Sequence, residues 1–258
     1  AQGMSGLMSI TGEGPGRQPV KMGAPITDIT AGILGAMAVA AAYAHKLKTG
    51  EGQKIDTSLF EAGIVHTYWQ SAIGLATGVP PGPMGSAHPL NAPYQAFKTR
   101  DGWINLGAAN QKNWLRLLEV LEASELAEDP RFTENTDRMA HLEELVESLN
   151  KIFIEHSTKD WLQRLEVVGV PAGPVLNVNE MHKDPHALAR DMIVEVDHNR
   201  LGPVKTLGLP VKFSKTPGKV AMGAPVYGQH TREVLAEYGY EEEKIDELIA
   251  KGAVVAAD

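Results

Sequence analysis

Residues 29–48 are small and apolar, with Ile33, Met37 and Ala41 four apart on one face, and the run closes on Lys46 and Lys48 before Gly50. Helical spacing, basic residues in a last turn and a following glycine predict one helix, read as a buried helix of a soluble core. Ile55 and Thr57 suit a short strand over 53–57. Ser58 and Glu61 have the spacing of a capping box, which predicts a second helix to about residue 76. The stretch 77–93 contains Pro80, Pro81, Pro83, Pro89 and Pro93, so it reads as linker and loop.

Past that stretch the period switches. Residues 94–98 and 103–106 flank an Asp101-Gly102 pair, a hairpin signal. Asn110 predicts the cap of a helix carrying Trp114, Leu117, Leu118 and Leu121, a longer helix follows over 137–156, and a third is capped by Thr158 and stops at Gly169. A short strand is expected at Val175 and Leu176, a strand pair over 192–196 and 204–213, and two closing helices over 229–238 and 241–251. Trp69, Trp103, Trp114 and Trp161 all fall in such patterns and read as core residues. The expected organisation is a large-domain part over 1–76, a linker and substrate loop over 77–93, a small α+β domain over 94–178, and a return segment with C-terminal helices over 179–258.

Composition narrows the chemistry. The 258 residues are 43% hydrophobic and 22% charged, which predicts a folded core. The net charge of −8, with scattered Lys and Arg, argues against a nucleic-acid partner. With no cysteine, thiolate nucleophiles, disulfides and Cys-ligated metals are excluded. The nine histidines include no H-E-x-x-H pattern, and Pro185 interrupts the spacing of His182 and His186, so no metal site is expected. No signal peptide is recognisable at the start, and 29–44 is too rich in alanine and glycine to read as a membrane span; a cytoplasmic protein is the default.

Few residues announce a function by themselves. There is no G-x-S-x-G nucleophile motif. The Gly/Pro-rich run 11–19 lacks the following helix that a phosphate loop requires. Asp28 reads first as a helix N-cap, a place where backbone N–H groups also hold a carboxylate ionised and supply donors for an oxyanion. Gly32 and Gly35 would let a bulky group approach it. His88, in the polar loop 85–93, lies where ligands often bind.

Several ordered segments together resemble family III CoA-transferases: 2–6 with 9–12, 23–32, 48–53, 86–97 with Asp101-Gly102, 169–175 and 228–231. The resemblance implies an α/β fold, part of a Rossmann-like large domain plus a small α+β domain. It also implies CoA transfer between an acyl-CoA and a small carboxylic acid, with Asp28 as the covalent nucleophile and no cofactor beyond the CoA substrates. The loop form Ser86-Ala87-His88-Pro89 is closer to members that use succinyl-CoA and other dicarboxylic acids, and it makes His88, Leu90 and Asn91 the expected substrate contacts. Related 2-methylacyl-CoA racemases carry a glutamate where Asn110 stands, and an amide exchanges no proton near neutral pH, so racemase chemistry is the alternative. A non-catalytic binding module is the other. Family members are longer, so the chain is expected to be the C-terminal part of such a protein, with most of the CoA-nucleotide contacts in the section before it. The family's interlocked homodimer is the expected assembly. A mitochondrial matrix location is the alternative to the cytoplasm.

Overall fold

The computed structural model describes residues 1–257, which divide into two compact units, Ala1–Val175 and Leu176 onward. The first unit opens with a 3-10 turn, Leu7–Ser9, and three helices: α1 (Ile26–Thr49), α2 (Leu59–Val65) and α3 (Tyr68–Thr77). Then come β1 (Tyr94–Lys98), β2 (Trp103–Gly107), α4 (Gln111–Val120), α5 (Glu125–Glu128), α6 (Asn135–Ala140), α7 (Leu142–Phe153), α8 (Thr158–Val168) and β3 (Ala172–Pro174). The strands form one antiparallel sheet in the order β1-β2-β3, with Phe97 opposite Ile104 and Asn105 opposite Gly173.

The large core of this unit lies wholly between residues 92 and 170. Strand alternation turns Phe97, Ile104 and Leu106 inward, and the helical periods of α4, α7 and α8 bring Trp114, Leu117, Leu118, Leu145, Leu149, Phe153, Trp161 and Leu165 against them. The Phe97 and Phe153 rings stack at 5.0 Å, Trp161 meets Phe153 edge-on, and its Nε1–H donates to the Phe153 carbonyl at 2.8 Å. Asn110 and Ser157 cap α4 and α8 by accepting from the N–H three residues on, and Gly169 ends α8 at φ 69°. The cap of α8 is therefore Ser157, one residue ahead of the expected Thr158.

Other expectations change before residue 78. α1 starts at Ile26, behind Pro25, so Asp28 is the third residue of its first turn and not its N-cap; a proline with φ −75° and no N–H suits the position ahead of a helix. Nor is α1 buried in this chain: of its residues only Thr27 is, and Ile33, Met37 and Tyr43 are all at least 60% exposed. The helix is long and apolar enough, by length and composition, to cross a membrane, contrary to the expectation from its alanines and glycines. Residues 53–57 form no strand, for lack of a partner among the described residues. The predicted helix 59–76 breaks at 66–67, where the Thr67 hydroxyl donates to the Ile64 carbonyl at 2.7 Å and competes with the helical ladder. His141 interrupts the predicted helix 137–156 in the same way, its Nδ1 lying 3.0 Å from the Asp137 carbonyl. The last sheet strand is Ala172–Pro174, just ahead of the expected Val175 and Leu176.

The second unit has α9 (Val178–Met181), α10 (Pro185–Ala189), the antiparallel pair β4 (Ile193–His198) and β5 (Gly202–Leu207), α11 (Thr231–Glu237) and α12 (Glu242–Ala250). The strand pair forms, but its second strand begins at Gly202 and ends at Leu207 instead of spanning 204–213, while the two closing helices fall within the expected ranges.

Candidate functional site

Asp28 sits exposed in the first turn of α1, where the positive end of the helix dipole favours a carboxylate. Its neighbour Thr27 is buried and donates its hydroxyl to Asp28 Oδ2 at 3.0 Å, fixing one carboxylate oxygen. Thr27 is in turn wedged against α2. A Cβ at Gly63 would lie 2.4 Å from Ser5 Oγ and 3.3 Å from Thr27 Cγ2, so the glycine allows α2, the N-terminal turn and the start of α1 to meet. One turn further, Thr30 Oγ1 pairs with His66 Nε2 at 2.6 Å. Asp28, Gly32 and Gly35 fall at i, i+4 and i+7 on one face, and no atom lies within 4 Å of a Cβ built at either glycine. The result is an ionisable oxygen pair at one end of an open, side-chain-free strip.

The loop before β1 is folded on itself. His88 N–H donates to the Tyr94 carbonyl at 2.9 Å, and Ala96 N–H donates to Ser86 Oγ at 3.0 Å. The His88 ring stacks on Tyr94 at 5.1 Å and meets Trp69 of α3 edge-on at 4.7 Å. Its Nδ1 receives the Leu90 N–H at 3.1 Å and lies 3.3 Å from Asn91 Nδ2. A backbone N–H can only donate, so Nδ1 is the lone-pair nitrogen and the neutral ring carries its proton on Nε2. Burial lowers the His88 pKa below its ordinary 6.5, which keeps the ring neutral at pH 7. Leu90 is 47% exposed. Ala87 and Pro89 border an open cleft of about 400 Å³ lined also by Ile10, Gln70 and Ile73.

Two expected contacts, His88 and Asn91, are thus brought together, with Leu90 bridging them through its backbone. The hydrogen bond of Asp28 is to Thr27, on a separate element from the loop. Asn110 is spent on the helix cap, its Oδ1 accepting from Asn113 N–H at 2.9 Å. Sequence reasoning missed Trp69 and Tyr94 as walls of the His88 ring: Trp69 is 49% exposed, as is Trp103, and only Trp114 and Trp161 of the four are core residues. An aromatic on an amphipathic pattern gives no signal of which neighbour it meets. Among the described residues no cluster of His, Asp or Glu has the arrangement to hold a metal ion.

Residues 1–231 match the family model described as CoA-transferase family III. The chain is 36% identical over 236 residues to a succinate–glutarate CoA-transferase of Agrobacterium fabrum, covering 92% of this chain and 59% of that protein. It is 34% identical over 255 residues to succinyl-CoA:glutarate CoA-transferase of Homo sapiens, covering 98% of this chain and 58% of that one. Among solved structures it is similar to a CAIB/BAIF family protein from Brucella suis, with a TM-score of 0.77, 34% identity and coverage of 92% of this chain and 61% of that. The chain belongs to CoA-transferase family III and has its mixed α/β fold. It spans about three fifths of the length of these relatives.

Proposed function

We propose that the protein carrying this chain moves CoA from succinyl-CoA or a similar acyl-CoA to a dicarboxylic acid, with Asp28 as the nucleophile. The observation that carries the reading is an exposed, oriented carboxylate at the start of an open glycine face, in a chain 36% identical to a succinate–glutarate CoA-transferase. A carboxylate oxygen of Asp28 attacks the thioester carbon, and the C–S bond breaks to give a mixed anhydride and the CoA thiolate. The thiolate then attacks the aspartyl carbonyl and expels the first acid, leaving an aspartyl thioester. The acceptor carboxylate attacks that thioester and again releases thiolate, which takes the acyl group from the second anhydride and restores Asp28. The dipole of α1 and the Thr27 hydroxyl favour the ionised nucleophile, and the strip over Gly32 and Gly35 leaves room for the thioester arm. His88 offers Nε2–H to a substrate carboxylate, beside the apolar Leu90 and with Asn91 holding the ring from behind.

Incubation with succinyl-CoA and hydroxylamine tests the reading, because an activated aspartyl group is captured as a protein hydroxamate. Wild type is expected to give it and Asp28→Ala to give none, with an unchanged circular dichroism spectrum. Equal trapping by the variant removes Asp28 from the chemistry.

A further inference from the structure

Residues 90–92 are held by two side chains that come from more than forty positions later. Asn135 Oδ1 accepts from Ala92 N–H at 3.1 Å while its Nδ2 donates to the Leu90 carbonyl at 2.9 Å, so one amide pairs with the loop as a neighbouring strand would. Arg138 Nε donates to the Ala92 carbonyl at 2.8 Å, and its Nη1 reaches the Phe132 carbonyl at 3.0 Å and Gln111 Oε1 at 3.1 Å. The guanidinium is fully buried and lies over the Trp114 ring at 5.1 Å. Burying an arginine is costly, and here its hydrogen bonds are spent on main-chain carbonyls and one amide.

What the tie fixes is the N–H of Leu90. That N–H occupies His88 Nδ1, and its position follows from the Leu90 carbonyl and the two polar groups of Ala92, all held from α6. If the 90–92 backbone swings away, Nδ1 loses its donor, the proton is free to reside on either nitrogen, and the ring loses its fixed direction between Trp69 and Tyr94. Among the described residues His88 Nε2 has no hydrogen-bond partner, so the arrangement leaves one neutral donor uncommitted on a ring held between Trp69 and Tyr94.

We infer that Asn135 and Arg138 are positioning residues for substrate recognition, holding the 90–92 backbone so that His88 stays in the Nε2–H form and donates to a carboxylate of the substrate acid. The inference rests on the CoA-transfer reading for the identity of the acid, but its geometry can be read without turnover.

The test uses the chain labelled with 15N-histidine, the His88 ring signals being assigned by their loss in His88→Gln. Long-range 1H–15N spectra of wild type above pH 7 are expected to show the Nε2–H tautomer, and adding glutarate is expected to shift it. Asn135→Ala, at a half-buried site, is expected to fold, to show His88 averaging between tautomers, and to weaken glutarate binding at least about tenfold, the scale of one hydrogen bond to an ion. His88→Ala is expected to weaken it equally, and the double variant no further, because Asn135 acts through His88. If Asn135→Ala disrupts the fold, Asn135→Asp keeps the acceptor for Ala92 N–H, loses the donor to Leu90, and is read by the same tautomer signal. An Nδ1–H tautomer in wild type, no shift with glutarate, an unchanged ring in either Asn135 variant, or additive losses in the double variant would overturn the inference. A normal ring response to glutarate with no hydroxamate from succinyl-CoA sinks the transfer reading instead and leaves the clamp standing.

Discussion

Gly63 has no space for a side chain, and what fills that space sets the position of Asp28. The Gly63→Ala variant has to push Ser5 and Thr27 apart, and overpacking of this kind costs roughly 1–3 kcal/mol. Thermal melts are expected to show the loss, and hydroxamate trapping is expected to fall with it, because Thr27 carries the hydrogen bond to Asp28. A second carboxylate, Asp129, reports on acid. The hydrogen bonds and charge of Arg131 hold its pKa down to about 2 from 3.8. Since the folded value is the lower one, its contribution to stability is fully present above pH 3.8 and is lost as pH falls toward about 2. Asp129→Asn is expected to flatten that part of a melting-temperature profile, and an unchanged slope would show that other carboxylates dominate it. At this scale the sequence marks Asp28 only through the order of the motifs around it; by residue type and position it is one more acidic group in a first turn. His88 stands out as a polar residue in a proline-rich loop, but its tautomer depends on a backbone N–H whose position no pattern reveals.

Elements whose ends are decided by near neighbours were legible. Asn110 caps α4, Ser58 accepts from Glu61 N–H at 3.2 Å, and Gly50 and Gly169 close α1 and α8 in left-handed conformations, each a contact within a few residues. Breaks made by a side chain turning back onto the helix, at Thr67 and His141, left no mark in the apolar period. The ties from Asn135 and Arg138 to residues 90–92 span 43 to 46 positions, beyond the reach of any local rule. The open face of α1 gives an element-scale prediction. Gly32→Ala meets no atom and is expected to raise stability by about 0.5–1 kcal/mol through helix propensity. Gly32→Leu is expected to keep the melting temperature at or above wild type while reducing hydroxamate formation, because the new side chain stands one turn from Asp28. Equal yields from the leucine variant would remove the Gly32 face from the proposed path of the thioester arm.

On the scale of the whole chain, burial is uneven. The residues from 92 to 170 own the principal core, and α1 is held where it packs against α2. The hydrophobic pattern of α1 suggests burial because an apolar period says that a helix has something to cover, and this chain does not supply the cover. Helices without tertiary burial depend on propensity and fray, since local opening free energies follow packing. Backbone amides of α1 are therefore expected to exchange with solvent deuterium in a gradient, slowest beside Thr27 and fastest toward Thr49, with uniform protection counting against this account. Such a gradient would make α1 a helix pinned at one end, its far turns opening and reclosing without displacing the Asp28 carboxylate proposed as the nucleophile.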